Sequence, residues 1–292
     1  TKMVSLFSNI KINVRSTSLG VSLEELWLHH IYNDLMNLND QYLPKEMEPR
    51  YESLDSITER LAVRIIATKE KMGHRPCIIG IDGPPAAGKS TLTRSLAKTL
   101  ETKGRKVQVI HIDHFLHVRH TRYGENRTPP KDGGPLPTAS HYKYTVNDGL
   151  FRMHVLDPIR NNGELKGSLK ARELVNEGAT NPITDIEYDV DEDTIVLIEG
   201  IYLFKENTRD YYDEKIFLDA DDDTVRERGL ARNSGERSDK KTKPPEAYLK
   251  DINERYLPGI AEYQNKDLPN GYASVLIESN AHGYRIMAAS PR

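Results

Sequence analysis

The sequence predicts an α/β fold, a central parallel β-sheet flanked by helices, with an N-terminal helical extension and a lid. Three observations carry this expectation. From residue 76 onward, short apolar runs of strand length alternate with segments of helical periodicity, the pattern of a parallel sheet covered on both faces. A glycine-rich turn separates the first such run from the helix that follows it. Two further apolar runs lead into acidic residues, at the strand ends beyond which ligands bind in open α/β sheets.

Taken in order, residues 22–43 read as a helix, with Ser22 as N-cap, Glu24 and Glu25 in the first turn, and Leu23, Leu26, Trp27, Ile31, Leu35 and Leu38 at helical spacing. Residues 54–72 read as a second amphipathic helix with Ile57, Leu61, Ile65 and Ile66 on one face. Together they form the expected extension, residues 1–75, whose apolar stripes are packing surface. The main domain is expected over 76–292. Its strands are Cys77–Ile81, Lys106–Ile112, Thr194–Ile198, Glu214–Leu218 and, last, Ala273–Ile277. Helices are expected at Lys89–Thr102, 146–160, Asp221–Arg232 and 245–263. The segment 119–140 is rich in glycine and proline and too long for a mere connector, so residues 119–144 are expected to form a loop on the acceptor side. The polar loop 233–244 is the expected lid.

Composition excludes several classes. With 292 residues, 37% hydrophobic and 29% charged, the chain can bury a sizeable core. A formal charge of −3 gives no electrostatic reason to expect nucleic acid or a membrane surface as partner. No apolar run approaches the length of a membrane span. The one cysteine, Cys77, lies in an apolar run and fits a reducing compartment. The opening stretch carries only Lys2, Lys11 and Arg15 before the first acid, Glu24, and lacks a signal-peptide pattern, so cytoplasmic placement is the expectation. Self-association is left open.

The turn after the first strand reads Gly83-Pro84-Pro85-Ala86-Ala87-Gly88-Lys89-Ser90-Thr91 and fits G-x-x-x-x-G-K-[ST] in full, between a strand and a helix. Its glycines let backbone N–H groups curl toward phosphates, and the helix N-terminus adds a positive dipole. Lys89 is placed for the β- and γ-phosphates and Ser90 for Mg²⁺. This phosphate loop makes the expected architecture a P-loop NTPase fold binding ATP and Mg²⁺. A GTPase would need N-K-x-D, and Asn265-Lys266-Asp267-Leu268 has its acid in the wrong place.

Asp113 follows the run VIHI and can orient an acceptor hydroxyl and take its proton; capping the next turn is the competing role. Glu199 ends TIVLI, where an acid holds the magnesium shell. Arg226, Arg228, Arg232 and Arg237 cluster where a helix meets the lid. Arg228 and Arg232 share a face and suit neutralising a transferring phosphoryl group, although pairing with Asp221–Asp223 or Glu227 competes. His111 reads as a core histidine.

These residues resemble the uridine kinase/phosphoribulokinase superfamily of P-loop kinases, which includes pantothenate kinase. The likeness rests on IDGPPAAGKST (81–91), VIHIDHF (109–115), VLIEGIYLF (196–204), KIFLDADDDTVRERGLAR (215–232), RYLPGIAEY (255–263) and ASVLI (273–277), and covers about residues 76–280. It implies a parallel sheet with a mobile lid, Asp113 as the catalytic aspartate after the second strand, Glu199 as the acid of the E-G-I segment, and Arg228 and Arg232 on the helix bordering the lid. The chain departs from nucleoside-phosphorylating members at Asp113-His114-Phe115-Leu116, where they carry D-x-F-Y. The acceptor is therefore open: a small metabolite, either a nucleoside such as uridine or a sugar phosphate-like molecule. Candidates to bind it are Arg119, Arg122, His141, Tyr144 and Asp148, the last also suited to a helix N-terminus. A regulatory protein that binds nucleotide without acceptor turnover is the alternative.

Overall fold

The computed structural model describes residues 50–117, 138–172, 183–234 and 243–289. The expected helix at 22–43 lies outside them, as do Arg119, Arg122, Arg237 and most of both expected loops. The chain divides into two compact units, Thr1–Arg50 and Tyr51–Arg292, and every helix and strand described here belongs to the second.

Helix α1 (Leu54–Met72) starts at Ser53, whose side chain accepts a hydrogen bond from the Ser56 N–H (3.2 Å). Strand β1 (Cys77–Asp82) is buried along its whole length. Then come α2 (Lys89–Thr102), β2 (Val107–His111), a 3₁₀ turn (Ile112–Phe115), and α3 (Thr138–Tyr144). Helix α4 begins as Asp148–Phe151, widens into a π-helical turn (Arg152–Leu156) and resumes as Asp157–Asn162. Strands β3 (Leu165–Arg172) and β4 (Ile183–Val190) form an antiparallel pair of their own. Next are β5 (Ile195–Glu199), β6 (Glu214–Asp219) and α5 (Asp222–Ser234). Helix α6 runs Pro245–Asp251, passes through a π-helical turn (Ile252–Tyr256) and continues Leu257–Asp267, before β7 (Val275–Asn280) and β8 (Gly283–Ala289).

The main sheet has the order β2-β5-β1-β6-β7-β8, parallel except for β8. Alternation along the strands sends side chains to two cores. Ile78, Val196 and Ile198 face the layer of α4 and α6, with Phe151, Leu156, Ile260 and Tyr263. Cys77, Ile79, Ile81, Ile195 and Leu197 face α1 and α2, with Leu92, Leu96 and Leu100. Burial pushes the Cys77 thiol up to about 12, the signature of an inert core thiol.

Besides the helix that Thr138–Tyr144 forms within the expected acceptor-side loop, two expectations change. The extension 1–75 does not hold as one piece. Ile57, Leu61, Ala62 and Ile65 of α1 are buried in the second core, and Thr68 donates a hydrogen bond to Glu214 of β6 (2.7 Å), so α1 is an integral layer of the sheet fold. Leu61→Ala should therefore destabilise the whole unit by about 2–5 kcal/mol. A thermal unfolding midpoint lower by at least about 4 °C would be the measured sign, and an unchanged midpoint would make the helix peripheral. Second, Ala273–Ile277 is not the last strand, because β8 pairs back on β7.

Strands β3 and β4 are not among the elements expected from the sequence. Their alternation buries Leu165, Tyr188 and Val190, with Leu169 and Ile186 half covered, against the first core. Among the described residues no helix is long and apolar enough to cross a membrane.

Candidate active site

The phosphate loop grows out of the C-terminal end of β1. Gly83 takes φ +147°, and a Cβ there would sit 2.2 Å from the Leu218 carbonyl oxygen, so only glycine lets the chain leave the sheet at this point. The loop then turns through positive φ at Ala86 (60°) and Gly88 (97°) into α2. Lys89 reaches back inside it, donating to the carbonyls of Gly83 (2.9 Å) and Pro84 (2.7 Å). Burial lowers the pKa of this ammonium, and the carboxylates of Glu199, Asp82 and Asp113 act against that shift.

Two supports under the loop have no local sequence signal. Asp82 is wholly buried and accepts four hydrogen bonds: from Gly83 N–H (2.7 Å), Leu203 N–H (3.0 Å), Phe204 N–H (3.2 Å) and the Tyr263 hydroxyl (2.5 Å). It ties the loop to the segment after β5 and to α6. Burial pushes its carboxyl up, against the pull of Tyr263 and Gly83. From the other side, Ser279 at the end of β7 donates to the Ala87 carbonyl (2.9 Å). Arg228 donates to Ala87 (3.3 Å), to Ser279 Oγ (2.9 Å) and to the Asn280 carbonyl. Arg228 thus seats the loop as well as lining the pocket.

Glu199 closes β5 in direct register with His111 of β2 and one strand away from Ile81 of β1. Its Oε1 accepts a hydrogen bond from Ser90 Oγ (3.1 Å) and lies 2.6 Å from His111 Nδ1. Burial pushes the Glu199 carboxyl up. The His111 hydrogen bond, the Lys89 charge and Ser90 outweigh it and leave the group below the ordinary glutamate range. The same contact raises the His111 pKa. His111 is therefore not a core histidine: its side chain is 43% exposed and holds the Glu199 carboxylate. Its place opposite that acid comes from strand register, which no local sequence signal gives.

Asp113 sits in the 3₁₀ turn just past β2. It is open to solvent in the pocket, yet the surrounding walls push its carboxyl above the ordinary aspartate value and Glu199 adds to the push, while Lys89, Arg232 and His111 oppose it. Spacing between Asp113 and Glu199 is fixed by packing. A Cβ on Gly200 would lie 1.8 Å from Ile112 Cγ2, so the backbone after one acid rests directly on the residue before the other. Lys89, Ser90, Asp113, Glu199, Arg228 and Arg232 all line one concave pocket of about 690 Å³. Arg226 does not: it pairs with Asp223 (2.8 Å) and Asn253 (2.8 Å).

Of the expected acceptor residues, His141 is brought into the pocket wall. It is buried, with Nδ1 2.6 Å from the hydroxyl of Tyr202, a residue held at φ +62°. Tyr144 is exposed beneath Lys143 and lies outside the pocket lining. Asp148 is also elsewhere. It pairs with Lys205 (2.9 Å) in a separate concavity and opens α4 directly after the N-cap Asn147. Arg255, Tyr256, Tyr248, Tyr284 and Arg94 line the pocket without having been singled out for it. Asp267, of the Asn265-Lys266-Asp267 run, accepts from the Glu206 N–H (2.9 Å) and from Tyr142, a structural use of that residue.

Comparison with known proteins supports a P-loop kinase fold. Residues 50–118, the stretch from α1 to just past β2, match the family described as methylmalonyl Co-A mutase-associated GTPase MeaB, a likeness confined to the phosphate-loop part of the chain. The uridine kinase of Staphylococcus aureus (strain JH9) is 25% identical over 199 residues, covering 66% of this chain and 87% of that protein. A solved structure described as a possible uridine kinase from Bacillus stearothermophilus superposes with a TM-score of 0.51 at 20% identity, over 74% of this chain and 98% of the other. D-glycerate 3-kinase from Cryptococcus neoformans var. grubii gives a TM-score of 0.54 at 11% identity, over 79% and 99%.

Proposed function

We propose that this chain, a P-loop kinase in fold and in its homologues, transfers the γ-phosphate of ATP to an alcohol group of a small metabolite. The observation that carries the reading is convergence: the loop lysine, the Ser90–Glu199 pair, Asp113 and Arg232 meet in one pocket. A protein that only bound nucleotide would have no physical use for a carboxylate standing free of the metal-side acid.

In this reading the backbone of residues 83–88 and the Lys89 ammonium hold the β- and γ-phosphates. Ser90 and Glu199 offer two hard oxygens 3.1 Å apart, a donor set that fits Mg²⁺ completed by phosphate and water. Held by Ser90 and Glu199, Mg²⁺ would supply positive charge against that of the phosphates. Asp113 accepts the proton of the acceptor hydroxyl as its oxygen bonds to the γ-phosphorus. The bond from that phosphorus to the β–γ bridging oxygen breaks, and its electrons leave with ADP. Arg232, whose charge reaches both Lys89 and Asp113, stabilises the charge spreading over the transferred group.

Acceptor-dependent ADP release tests this. A panel of nucleosides, sugars, sugar phosphates and hydroxy acids, each with Mg·ATP, should contain at least one compound that raises turnover well above the basal ATPase. ATP binding without stimulation by any of them would support the nucleotide-binding regulatory reading instead.

A further inference from the structure

We infer that His111 is a positioning residue that limits Glu199 to one metal-facing oxygen and so sets the site's choice of Mg²⁺ over Ca²⁺. The inference rests on the part of the kinase reading in which Ser90 and Glu199 hold the ion.

Both polar contacts of Glu199 fall on the same atom. Oε1 accepts from Ser90 Oγ (3.1 Å) and stands 2.6 Å from His111 Nδ1, while Oε2 has no hydrogen-bond partner among the described residues. An ionised carboxylate only accepts, so Nδ1 is the protonated nitrogen and the ring donates whether neutral or charged. The pair is braced on both sides. Glu199 is in register with Ile81 of β1 and with His111 itself, its side chain is 10% exposed, and the backbone after it rests on Ile112 through Gly200. The His111 ring stands edge-on to that of His114, with 5.5 Å between ring centres. To face an ion with both oxygens, the carboxylate would have to break the 2.6 Å contact; with one oxygen it can keep it.

That difference separates two ions. Mg²⁺ demands near-octahedral geometry at about 2.0–2.1 Å, keeps several waters, and takes one or two carboxylates beside substrate phosphates. Ca²⁺ takes about six to eight oxygens at about 2.3–2.6 Å and readily claims both oxygens of one carboxylate. Among the described residues no group of three or more His, Cys, Asp or Glu could hold an ion, so the protein offers Ca²⁺ no richer set to make up the difference. Second-shell partners of this kind tune affinity by fixing how a ligand is presented.

The test uses the full chain saturated with ADP, so that no turnover is needed. Mn²⁺, which oxygen ligands take much as they take Mg²⁺, is the probe, followed by its EPR signal while Mg²⁺ or Ca²⁺ displaces it. On the wild-type protein Mg²⁺ should displace Mn²⁺ at a concentration at least about tenfold below that needed for Ca²⁺. His111→Phe keeps a ring against His114 but removes the donor, and should narrow that gap by about tenfold or more. His111→Asn carries an N–H as many bonds from Cα as Nδ1 and should keep the gap within about threefold of the wild type. A merely structural role would weaken both ions alike and leave their ratio unmoved. An unchanged ratio in His111→Phe, or the same change in both variants, would overturn the inference. So would a wild-type site that takes Ca²⁺ as readily as Mg²⁺ or binds no Mn²⁺, and neither result needs a variant to fold. Acceptor-dependent ADP release does not enter this readout. If no alcohol stimulates it, the kinase reading fails, while this inference is still decided by the ion ratio.

Discussion

Asparagine in place of Asp113 is expected to lower kcat by about 10²–10⁴-fold while ATP binds as before. In the proposed mechanism the substitution removes the proton acceptor and leaves the phosphate loop, Ser90 and Glu199 untouched. The pH dependence gives a second readout. A base works only when ionised, and desolvation by the surrounding pocket walls, with Glu199 adding to it, pushes the Asp113 carboxyl above the ordinary 3.8. The rate should therefore fall as pH drops through that raised value, placing the acid limb above the usual aspartate range. In the asparagine variant the limb should vanish along with the rate. Single-turnover rates across pH on both proteins, alongside ATP affinity, check this. Wild-type turnover in the variant would remove Asp113 from the chemistry.

The other large effect belongs to a residue that touches no phosphate. Asp82→Asn turns one of the four-bonded carboxylate's acceptor atoms into an NH₂ group, which then faces N–H donors or the Tyr263 hydroxyl. At a wholly buried position a broken network of this kind costs about 3–5 kcal/mol, a large part of the 5–15 kcal/mol that holds a typical domain. The unfolding midpoint should fall by about 10 °C, and whatever folds should bind ATP more weakly, because the loop loses its anchor to the segment 203–204. A midpoint within about 2 °C of the wild type would show that the four bonds are not what fixes the loop.

The parts of this protein legible in its sequence are those whose physics is local. The phosphate loop needs glycine at 83 and 88 and lysine at 89 in fixed order, and the buried strands β1 and β5 are continuous apolar runs. Asp113 and Glu199 were readable because chain direction in a parallel sheet puts strand C-terminal ends on one side. What stayed hidden depends on long-range pairing. His111 looks like any histidine in a strand until register sets it opposite Glu199. Asp82 looks like part of the loop motif until Leu203, Phe204 and Tyr263 arrive around it. Helix α1 reads as a separate extension because amphipathic periodicity reveals a packing face but not its partner, which here is the sheet itself. The antiparallel pairs were a different kind of miss. Alternation was present in Ile186-Glu187-Tyr188-Asp189-Val190 and in Tyr284-Arg285-Ile286, but polar neighbours diluted it.

The contact between Gly200 and Ile112 has a wider consequence. Because bare backbone rests on a branched methyl, the two acids behave like the jaws of a caliper locked at one setting. In the proposed mechanism, residues that meet the acceptor can change while the opening between Asp113 and Glu199 stays the same. In the proposed kinase, what is phosphorylated can therefore change without rebuilding how.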